Sequence, residues 1–422
     1  MSKLGPRRLT REEAPDFARV AELCFGGVAT EEDISAVVAE DFDEDWSIGV
    51  YDSGELVATA GAVPFELTLP AAHAGPLPSI PAAGVTCVGV LPTHHRRGLL
   101  TEMMAFQLGQ FREREVAVAI LTASESVIYG RFGYGTATTK ASLELPTKRS
   151  AFRELPYMPV AEGGRMRLVR KEEAAKVVPG VHAEAVRRRP GEVGRSDARW
   201  ARLLEDPERD RRQAEGRMYV VHEDATGSLD GYASFRHRWQ PEATWQVHHL
   251  ALIEDLYALT PAVHAALWRF LLDIDLVEEL RAGSRPVDEP LRWMLADARK
   301  LRTVELRDML WAKLVDVPAA LSARGYGLQT ELVLEVGPAG GEGTARYKLE
   351  TGPGSGSCRR AKGGEKTDLV LGQADLGAIY LGGCRPSELA AAGRVHEARS
   401  GALARADQAF VSPLAPFCGT SF

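Results

Sequence analysis

A basic segment between a predicted strand and a predicted helix is the strongest constraint on the fold of this chain. The apolar, partly β-branched run 85–91 is typical of a buried strand, and it stops at Pro92. Residues 93–98 include two histidines, two arginines and a glycine, and apolar residues then recur at helical spacing. Because the first N–H groups of a helix lack internal partners and its dipole attracts anions, this arrangement predicts an anion site suited to a diphosphate.

A second predicted strand at 116–121 leads into an aromatic, glycine-containing block. Residues 128–135 read Ile-Tyr-Gly-Arg-Phe-Gly-Tyr-Gly. In this order, the two strands, the basic loop and the block resemble the acyl-CoA core of the GNAT N-acyltransferases. The loop and the block, together with three later segments, more closely resemble the Eis (enhanced intracellular survival) acetyltransferases; these segments are Val317–Leu321, Arg324–Tyr326 and Tyr380–Gly383. The loop departs from the usual pattern at two positions, His95 and Leu100.

The resemblance implies an α/β fold with two GNAT-like mixed-sheet domains in tandem and a sterol-carrier-protein-like α+β domain at the end. The chain length of 422 residues fits two to three domains. We expect an N-terminal GNAT domain at 1–150 with the acetyl-CoA site, a degenerate GNAT-like domain at 151–305, and a third domain at 306–422 that delivers the C-terminus to the active site. The second domain has an acidic segment, 253–259, where the first has its basic loop, so we expect it to bind no CoA.

Local patterns predict the elements within these domains. The first domain should hold a Pro/Gly-rich loop at 70–84, and a strand near 138–145 should close it. In the second, strands are expected at 218–222, 232–236 and 245–252, with a helix at 261–272. In the third, strands near 328–337 and 345–351 should be followed by a flexible Gly/Ser segment, 352–357, and three short helices.

The resemblance also implies the residues that contact acetyl-CoA. A main-chain N–H on the strand at 88–90 is expected to polarise the thioester carbonyl, and the loop is expected to hold the pyrophosphate. Ser124 and Glu125 have the alternative interpretation of a helix cap. The predicted cofactor-binding residues are Val88, Gly89, Val90, Arg96, Arg97, Gly98, Leu99, Leu100, Thr101, Ser124 and Glu125.

Two groups are predicted to carry the proton transfers. Tyr129 is the candidate general acid, because a phenol with a pKa of about 10 is protonated at neutral pH; the alternatives are an ordinary core aromatic at this position, or Tyr134 as the acid. The resemblance implies that the terminal carboxylate of Phe422 is the general base. Most chain ends fray, but residues 411–422 are apolar and contain two prolines, which suits an ordered tail.

The acceptor is predicted to be a primary amine of a cationic small molecule, such as an aminoglycoside at one or more positions. The acidic, aromatic segment 40–46 would attract a cation, with Phe25 and Trp46 as pocket walls; a solvated acidic helix end is the alternative. Protein lysine side chains are a second acceptor class. A different class of function is a non-enzymatic module that binds acyl-CoA or lipid.

Composition excludes several other classes of protein. The net charge of −7 argues against a nucleic-acid binder. No apolar run approaches the roughly 18 residues of a membrane span, and the charged N-terminus lacks a secretory signal, so we expect a cytoplasmic protein.

Five scattered cysteines suit a reducing compartment, and Cys87 is expected to be a small buried hydrophobe. The histidines show no metal pattern, so we expect no metal. The resemblance implies a homo-hexamer.

Overall fold

The computed structural model describes residues 4–72, 76–148, 150–158, 164–211, 213–241, 247–337 and 343–422. The chain divides into two compact units. The first unit comprises Met1–Thr138, Pro190–Val193 and Asp308–Phe422, and the second comprises Thr139–Arg189 and Gly194–Arg307. Each unit is therefore built from segments that are discontinuous in sequence.

The N-terminal part of the first unit alternates helices and strands. Its long helix begins at Gly98, whose backbone has a φ of 82°, a conformation that glycine adopts without steric cost. Met103, Met104 and Phe111 are buried along one face, as the helical spacing predicts. The elements are β1 (Pro6–Arg8), α1 (Ala14–Cys24), α2 (Glu31–Glu40), β2 (Ile48–Asp52), β3 (Glu55–Thr68), β4 (Ser79–Val90), α3 (Leu99–Glu113), β5 (Val118–Thr122), α4 (Ser126–Tyr129) and β6 (Gly135–Thr136).

The second unit has its own sheet and helices. The predicted helix at 261–272 is confirmed with the same bounds; Thr260 accepts a hydrogen bond from the Val263 N–H, and Pro261 occupies the first turn. The elements are β7 (Thr139–Pro146), β8 (Arg165–Val169), α5 (Lys171–Val186), α6 (Asp197–Glu205), β9 (Met218–Glu223), β10 (Leu229–Pro241), β11 (Val247–Ala258), α7 (Pro261–Leu272), β12 (Glu279–Pro286), α8 (Leu291–Met294) and β13 (Arg302–Asp308).

The remaining elements return to the first unit. They are β14 (Leu310–Leu314), α9 (Val317–Ala323), β15 (Thr330–Gly337), β16 (Ala345–Gly352), β17 (Ser355–Arg360), β18 (Leu369–Gly372), α10 (Gln373–Tyr380), α11 (Pro386–Ala391), β19 (Val395–Glu397) and α12 (Ala402–Phe410). The buried helix faces of this part share one core with β5, β14 and the five-stranded sheet.

Strand order in the three sheets corrects several sequence-based expectations. The first sheet is β1-β2-β3-β4-β5-β14-β6, the second is β13-β7-β12-β11-β10-β9-β8, and the third is β17-β16-β15-β18-β19. Strand β7, which was expected to close the first domain, pairs with β12 because its inward residues Ala141, Leu143 and Leu145 belong to the second core. Strand β14, from the segment assigned to the third domain, pairs with β5 and β6.

Three predicted loops are partly strand. The loop expected at 70–84 ends before β4 begins at Ser79, and β4 pairs there with β3. The segment 253–259 lies in β11 up to Ala258. The Gly/Ser segment 352–357 is a hairpin in which Gly352 pairs with Ser355, so it is ordered by the ladder between β16 and β17. In each case pairing with another strand supplies hydrogen bonds that the composition of the segment itself does not reveal.

Candidate active site

The site forms where two parallel strands stop pairing. Strands β4 and β5 pair in parallel over four rungs, from Ala82 with Val118 to Val85 with Leu121. Beyond Val85, β4 continues to Val90 along β3, while β5 ends at Thr122. The described pairing on the β5 side therefore stops five residues before β4 ends. This divergence leaves the edge of the β4 backbone facing a cleft.

A bulge in β4 lies at the same point. The register with β3 shifts between Thr59 and Gly61, and Cys87 adopts a positive φ of 51°. The Thr59 hydroxyl donates to the Cys87 carbonyl at 2.9 Å, which fixes the bulge. Because a bulge re-aims the residues that follow it, it sets the direction in which the backbone of 88–90 faces the cleft.

A cavity of about 500 Å³ occupies this cleft. Most predicted cofactor residues, and the predicted acceptor wall Phe25, line it. The predicted residues at its surface are Phe25, Val88, Gly89, Val90, Arg96, Gly98, Leu99, Leu100, Thr101, Ser124, Glu125 and Tyr129. The alternative of a helix cap finds no support at Glu125, which precedes α4 but makes no side-chain cap hydrogen bond in the described structure.

The basic loop brings positive charge and main-chain donors to one end of the cavity. Gly98 has no side chain with which to cap α3, and the first intrahelical bond runs from the Glu102 N–H to its carbonyl. The N–H groups at 99–101 thus lie in the first turn, where an anion is favoured. His95 Nε2 lies 2.8 Å from the Val90 carbonyl oxygen, so this departure from the family pattern ties the loop to β4.

Two predicted residues lie elsewhere. Arg97 is directed away from the cavity, with Nη1 3.4 Å from Asp52 Oδ2 and Nη2 3.4 Å from the Thr93 carbonyl. Trp46 packs against Phe111 with ring centroids 5.3 Å apart, and the Arg114 guanidinium lies 4.5 Å from its ring centre. Neither Arg97 nor Trp46 lines the cavity.

Tyr129 combines exposure to the cavity with burial of its ring. The residue is 8% exposed. Its ring packs edge-to-face on the Tyr134 ring, with ring centroids 6.1 Å apart. Burial and the nearby Glu125 carboxylate raise the pKa of Tyr129 above its usual value, so the phenol keeps its proton at neutral pH. Tyr134, the rival acid, is fully buried and does not line the cavity. Of the two phenols, only Tyr129 can meet a ligand there.

The C-terminal tail is anchored along the four-residue segment Pro190–Val193, which we call the strap. The Phe417 N–H donates to the Pro190 carbonyl at 2.9 Å, and the Gly419 N–H donates to the Glu192 carboxylate at 3.0 Å. Main-chain N–H groups of the tail thus donate to the strap, to a backbone carbonyl at one position and to a side-chain carboxylate at the other. This chain end is ordered, as the apolar sequence 411–422 predicts.

The last residue reaches the carboxyl end of β5. The Thr122 hydroxyl donates to a terminal oxygen of Phe422 at 2.8 Å. The Phe422 ring packs on Phe65 with centroids 4.6 Å apart. Thr122 lies two residues before Ser124, which lines the cavity. The terminal carboxylate is therefore held at the strand end from which the cavity wall continues, although Phe422 itself is not a lining residue.

The cavity also has lining residues that the sequence analysis did not predict as ligand contacts. They are Cys24, His94, His95, Ile128 and Arg131. Ile128 and Arg131 belong to the block that carries Tyr129, so their proximity could have been inferred from it. Cys24 ends α1 and gave no such signal. Burial raises the pKa of the Cys24 thiol to about 11, so the thiol stays protonated and is a poor nucleophile.

The described residues contain no cluster of metal-ligating side chains and no helix that could span a membrane. No group of three or more His, Cys, Asp or Glu side chains there is arranged to hold a metal ion. No helix in the same ranges has the length and apolar character needed to cross a bilayer. All five cysteines are free thiols.

Comparison with known proteins identifies the family. Families described as "Acetyltransferase (GNAT) domain" match residues 6–137 and 191–317, and one described as "Sterol carrier protein domain" matches 317–419. An uncharacterized N-acetyltransferase of Streptomyces avermitilis is 41% identical over 405 residues, or 94% of each chain. The N-acetyltransferase Eis of Mycobacterium tuberculosis is 34% identical over 371 residues, covering 86% of this chain and 85% of Eis.

Solved structures agree with this result. Eis1 from Mycobacterium abscessus superimposes with a TM-score of 0.83 and 31% identity, over 99% of this chain and 100% of that chain. The sequence and fold comparisons thus extend over nearly the whole length of the molecule. The chain belongs to the Eis-type GNAT family, with two GNAT domains and a C-terminal sterol-carrier-like domain, and is an acetyl-CoA-dependent N-acetyltransferase.

Proposed function

We propose that this enzyme transfers the acetyl group of acetyl-CoA to a primary amine of a cationic small molecule, an aminoglycoside at one or more positions. Tyr129 acts as the general acid and the Phe422 carboxylate as the general base. Two observations carry this proposal: Tyr129 lines the cavity, and Thr122, two residues before the cavity residue Ser124, donates a hydrogen bond to the Phe422 terminus.

The residues at the cavity fit acetyl-CoA. Arg96 and the α3 N-terminus supply a positive end for the pyrophosphate. The backbone edge at 88–90 supplies N–H donors for the thioester carbonyl, which strengthen as negative charge develops on its oxygen. A volume of about 500 Å³ lies within the 300–1,000 Å³ range typical of ligand pockets. Acetyl-CoA supplies the acyl group, and the protein supplies orientation and proton transfer.

The two groups act on different atoms: the Phe422 carboxylate acts on the attacking amine, and the Tyr129 phenol acts on the departing thiolate. The amine nitrogen attacks the thioester carbon as its proton passes to the Phe422 carboxylate, directly or through a water molecule. The carbon–sulfur bond then breaks, and the Tyr129 phenol donates its proton to the departing thiolate. Direct attack is favoured over an acetyl-enzyme because the Cys24 thiol at the cavity has a raised pKa and remains protonated.

We further propose how the three parts of the chain share this work. Residues 1–150 hold acetyl-CoA, residues 306–422 deliver the C-terminus, and residues 151–305 bind no acetyl-CoA. The active form is proposed to be a homo-hexamer, which light scattering coupled to size-exclusion chromatography measures directly. A monomer with full activity would contradict the hexamer while leaving the chemistry unaffected.

The test measures thiol release from acetyl-CoA with a panel of aminoglycosides, simple amines and a lysine peptide. Three proteins are compared: wild type, Tyr129→Phe, and a form extended by two residues beyond Phe422. We expect transfer to aminoglycosides by wild type and a fall in kcat of about 100-fold in each altered protein, because a proton donor or acceptor typically contributes 10²–10⁴-fold. The KM for acetyl-CoA should stay nearly constant.

Each alternative has its own outcome. Wild-type kcat in the extended form would remove Phe422 from the mechanism, and wild-type kcat in Tyr129→Phe would remove the phenol. Transfer to the lysine peptide alone would change the acceptor class. Acetyl-CoA binding without transfer to any amine would favour a binding module.

A further inference from the structure

We propose that Thr122 is a positioning residue for the reaction: its hydroxyl orients the terminal carboxylate of Phe422 toward the acceptor amine. This inference rests on the proposed role of that carboxylate as general base. Thr122 was not among the residues that the sequence pointed to, and it touches neither the cavity surface nor, by the contacts described, any reacting group other than the carboxylate.

The hydroxyl is carried by a rigid part of the molecule. Thr122 is the last residue of β5, which is flanked by β4 on one side and by β14 on the other. It pairs with Leu310 of β14, and the four preceding residues, 118–121, are buried. A donor on a paired strand is held more precisely than one on a loop, and catalytic groups must be held to within about 0.5 Å.

The aromatic ring of Phe422 supplies a second point of attachment. It packs on Phe65 of β3, and it approaches Gly84 of β4 so closely that a Cβ there would lie 2.9 Å from Phe422 Cε2. Strands β3 and β4 thus fix the ring, while β5 fixes the carboxylate. Two separated contacts determine the rotation of a terminal residue, which one contact would leave undefined.

The hydrogen bond also bears on the charge of the base. A donor to the ionised form of a carboxylate stabilises that form and lowers its pKa. One oxygen is engaged by Thr122 at 2.8 Å, and the carboxylate keeps further lone pairs for the amine proton. Loss of the hydroxyl is therefore expected to disturb both the orientation of the base and the pH range in which it is ionised.

The experiment compares Thr122→Val, which keeps the side-chain shape without the hydroxyl, with Thr122→Ser, which restores the hydroxyl. Thr367→Val serves as a matched control, because that hydroxyl donates to Glu335 in the sheet of the C-terminal domain. For each protein we would measure kcat, the KM for acetyl-CoA, the acid limb of the pH profile and the melting temperature.

For Thr122→Val we expect kcat to fall about tenfold, since small displacements of catalytic groups have large effects on rate. Its acid limb should move to higher pH, because removal of the donor raises the pKa of the base. The KM should change less than twofold. Thr122→Ser and Thr367→Val should resemble wild type. If the valine variant does not fold, Thr122→Ala replaces it in the same comparison.

Two results would overturn the positioning role. One is a wild-type kcat and acid limb in Thr122→Val. The other is a loss of kcat that Thr122→Ser does not restore and that accompanies a lowered melting temperature with an unmoved acid limb. The form extended beyond Phe422 separates this inference from the general base: an active extended form refutes the base itself, whereas an inactive one beside a normal Thr122→Val refutes only Thr122.

Discussion

Each unit contains a parallel strand pair that stops pairing beside a bulge, but the surroundings of that point differ between the two units. In the first unit, β4 and β5 pair in parallel over four rungs and then diverge beside a bulge in β4. In the second unit, β11 and β12 pair over four rungs, from Leu250 with Glu279 to Ile253 with Ala282. The register between β10 and β11 also shifts directly after Ile253, so that Glu254 is the extra residue.

In the second unit, the acidic residues just beyond the point where β11 and β12 stop pairing form ion pairs with arginines. Glu254 pairs with Arg217 at 2.6 Å and with Arg236 at 2.7 Å, and Asp255 pairs with Arg195 through two bonds of 2.6 and 2.9 Å. The main chain is occupied as well, since the Asp255 N–H donates to the Ser234 hydroxyl. The corresponding groups line a cavity in the first unit, whereas these groups of the second unit have partners within the protein.

The N-terminus of the following helix also differs, since no side chain caps it in the first unit and a threonine caps it in the second. In the first unit, Gly98 leaves the N–H groups of the first turn of α3 without a capping side chain. In the second unit, Thr260 caps α7, and Pro261 contributes no N–H at all. The fold thus provides a divergent strand pair in both units, and a few side chains determine whether the space beside it is an open cavity or is cross-linked by ion pairs.

The largest effect is expected from making the first unit resemble the second. Arg96→Glu places an acid in the loop that faces the cavity. We expect the KM for acetyl-CoA to rise about 100-fold, because the variant both loses a charge-assisted contact with the pyrophosphate and gains repulsion. Steady-state kinetics and calorimetric titration with CoA measure this. An unchanged KM would mean that the pyrophosphate does not lie at this loop.

The next largest effect is expected on the free energy of unfolding, from the buried ion pair between Arg195 and Asp255 in the second unit. Asp255→Asn removes the carboxylate charge that pairs with the buried Arg195 guanidinium, and we expect the free energy of unfolding to fall by about 3–5 kcal/mol. Urea unfolding followed by tryptophan fluorescence measures the change. Replacing both residues together, Arg195→Met with Asp255→Leu, should be much less destabilising. If the single and double variants are equally unstable, the pair is not what stabilises this region.

The same pair predicts a pH dependence. Burial alone would raise the pKa of Asp255, but the Arg195 guanidinium outweighs it and lowers the pKa to about 2. Because the pKa in the folded state lies below the unfolded value of about 3.9, the contribution to stability is complete above that value and is lost as the pH falls toward 2. The stability difference between wild type and Asp255→Asn should therefore shrink between pH 4 and pH 2. A constant difference would contradict this assignment.

The smallest effect is expected at Arg97, the neighbour of Arg96. Its guanidinium is directed to Asp52 and not to the cavity. Exposed ion pairs contribute little, so Arg97→Ala should change the KM for acetyl-CoA less than threefold. The variant serves as the matched control for Arg96→Glu in the same kinetic assay. A large rise in KM here would show that the loop rearranges when acetyl-CoA binds.

Sequence patterns predicted the parts of the site that are local in the chain. The strand, basic loop and helix were readable because alternation, charge and helical spacing act over neighbouring residues. The destinations of Arg97 and Trp46 were not readable, since they depend on Asp52 and Arg114, which lie 45 and 68 residues away. Strand β14 was also missed, because its place between β5 and β6 depends on pairing with residues 175 to 196 positions earlier.

The position of the strap in the sequence limits which segments of the chain can be deleted. Residues 190–193 hold the tail in the first unit, yet on both sides the chain belongs to the second unit. A deletion that removes the second unit as one block, 139–307, would also remove the segment against which the last residues are docked. The second unit, which we propose binds no acetyl-CoA, therefore cannot be deleted as one block without loss of the contacts that dock the last residues.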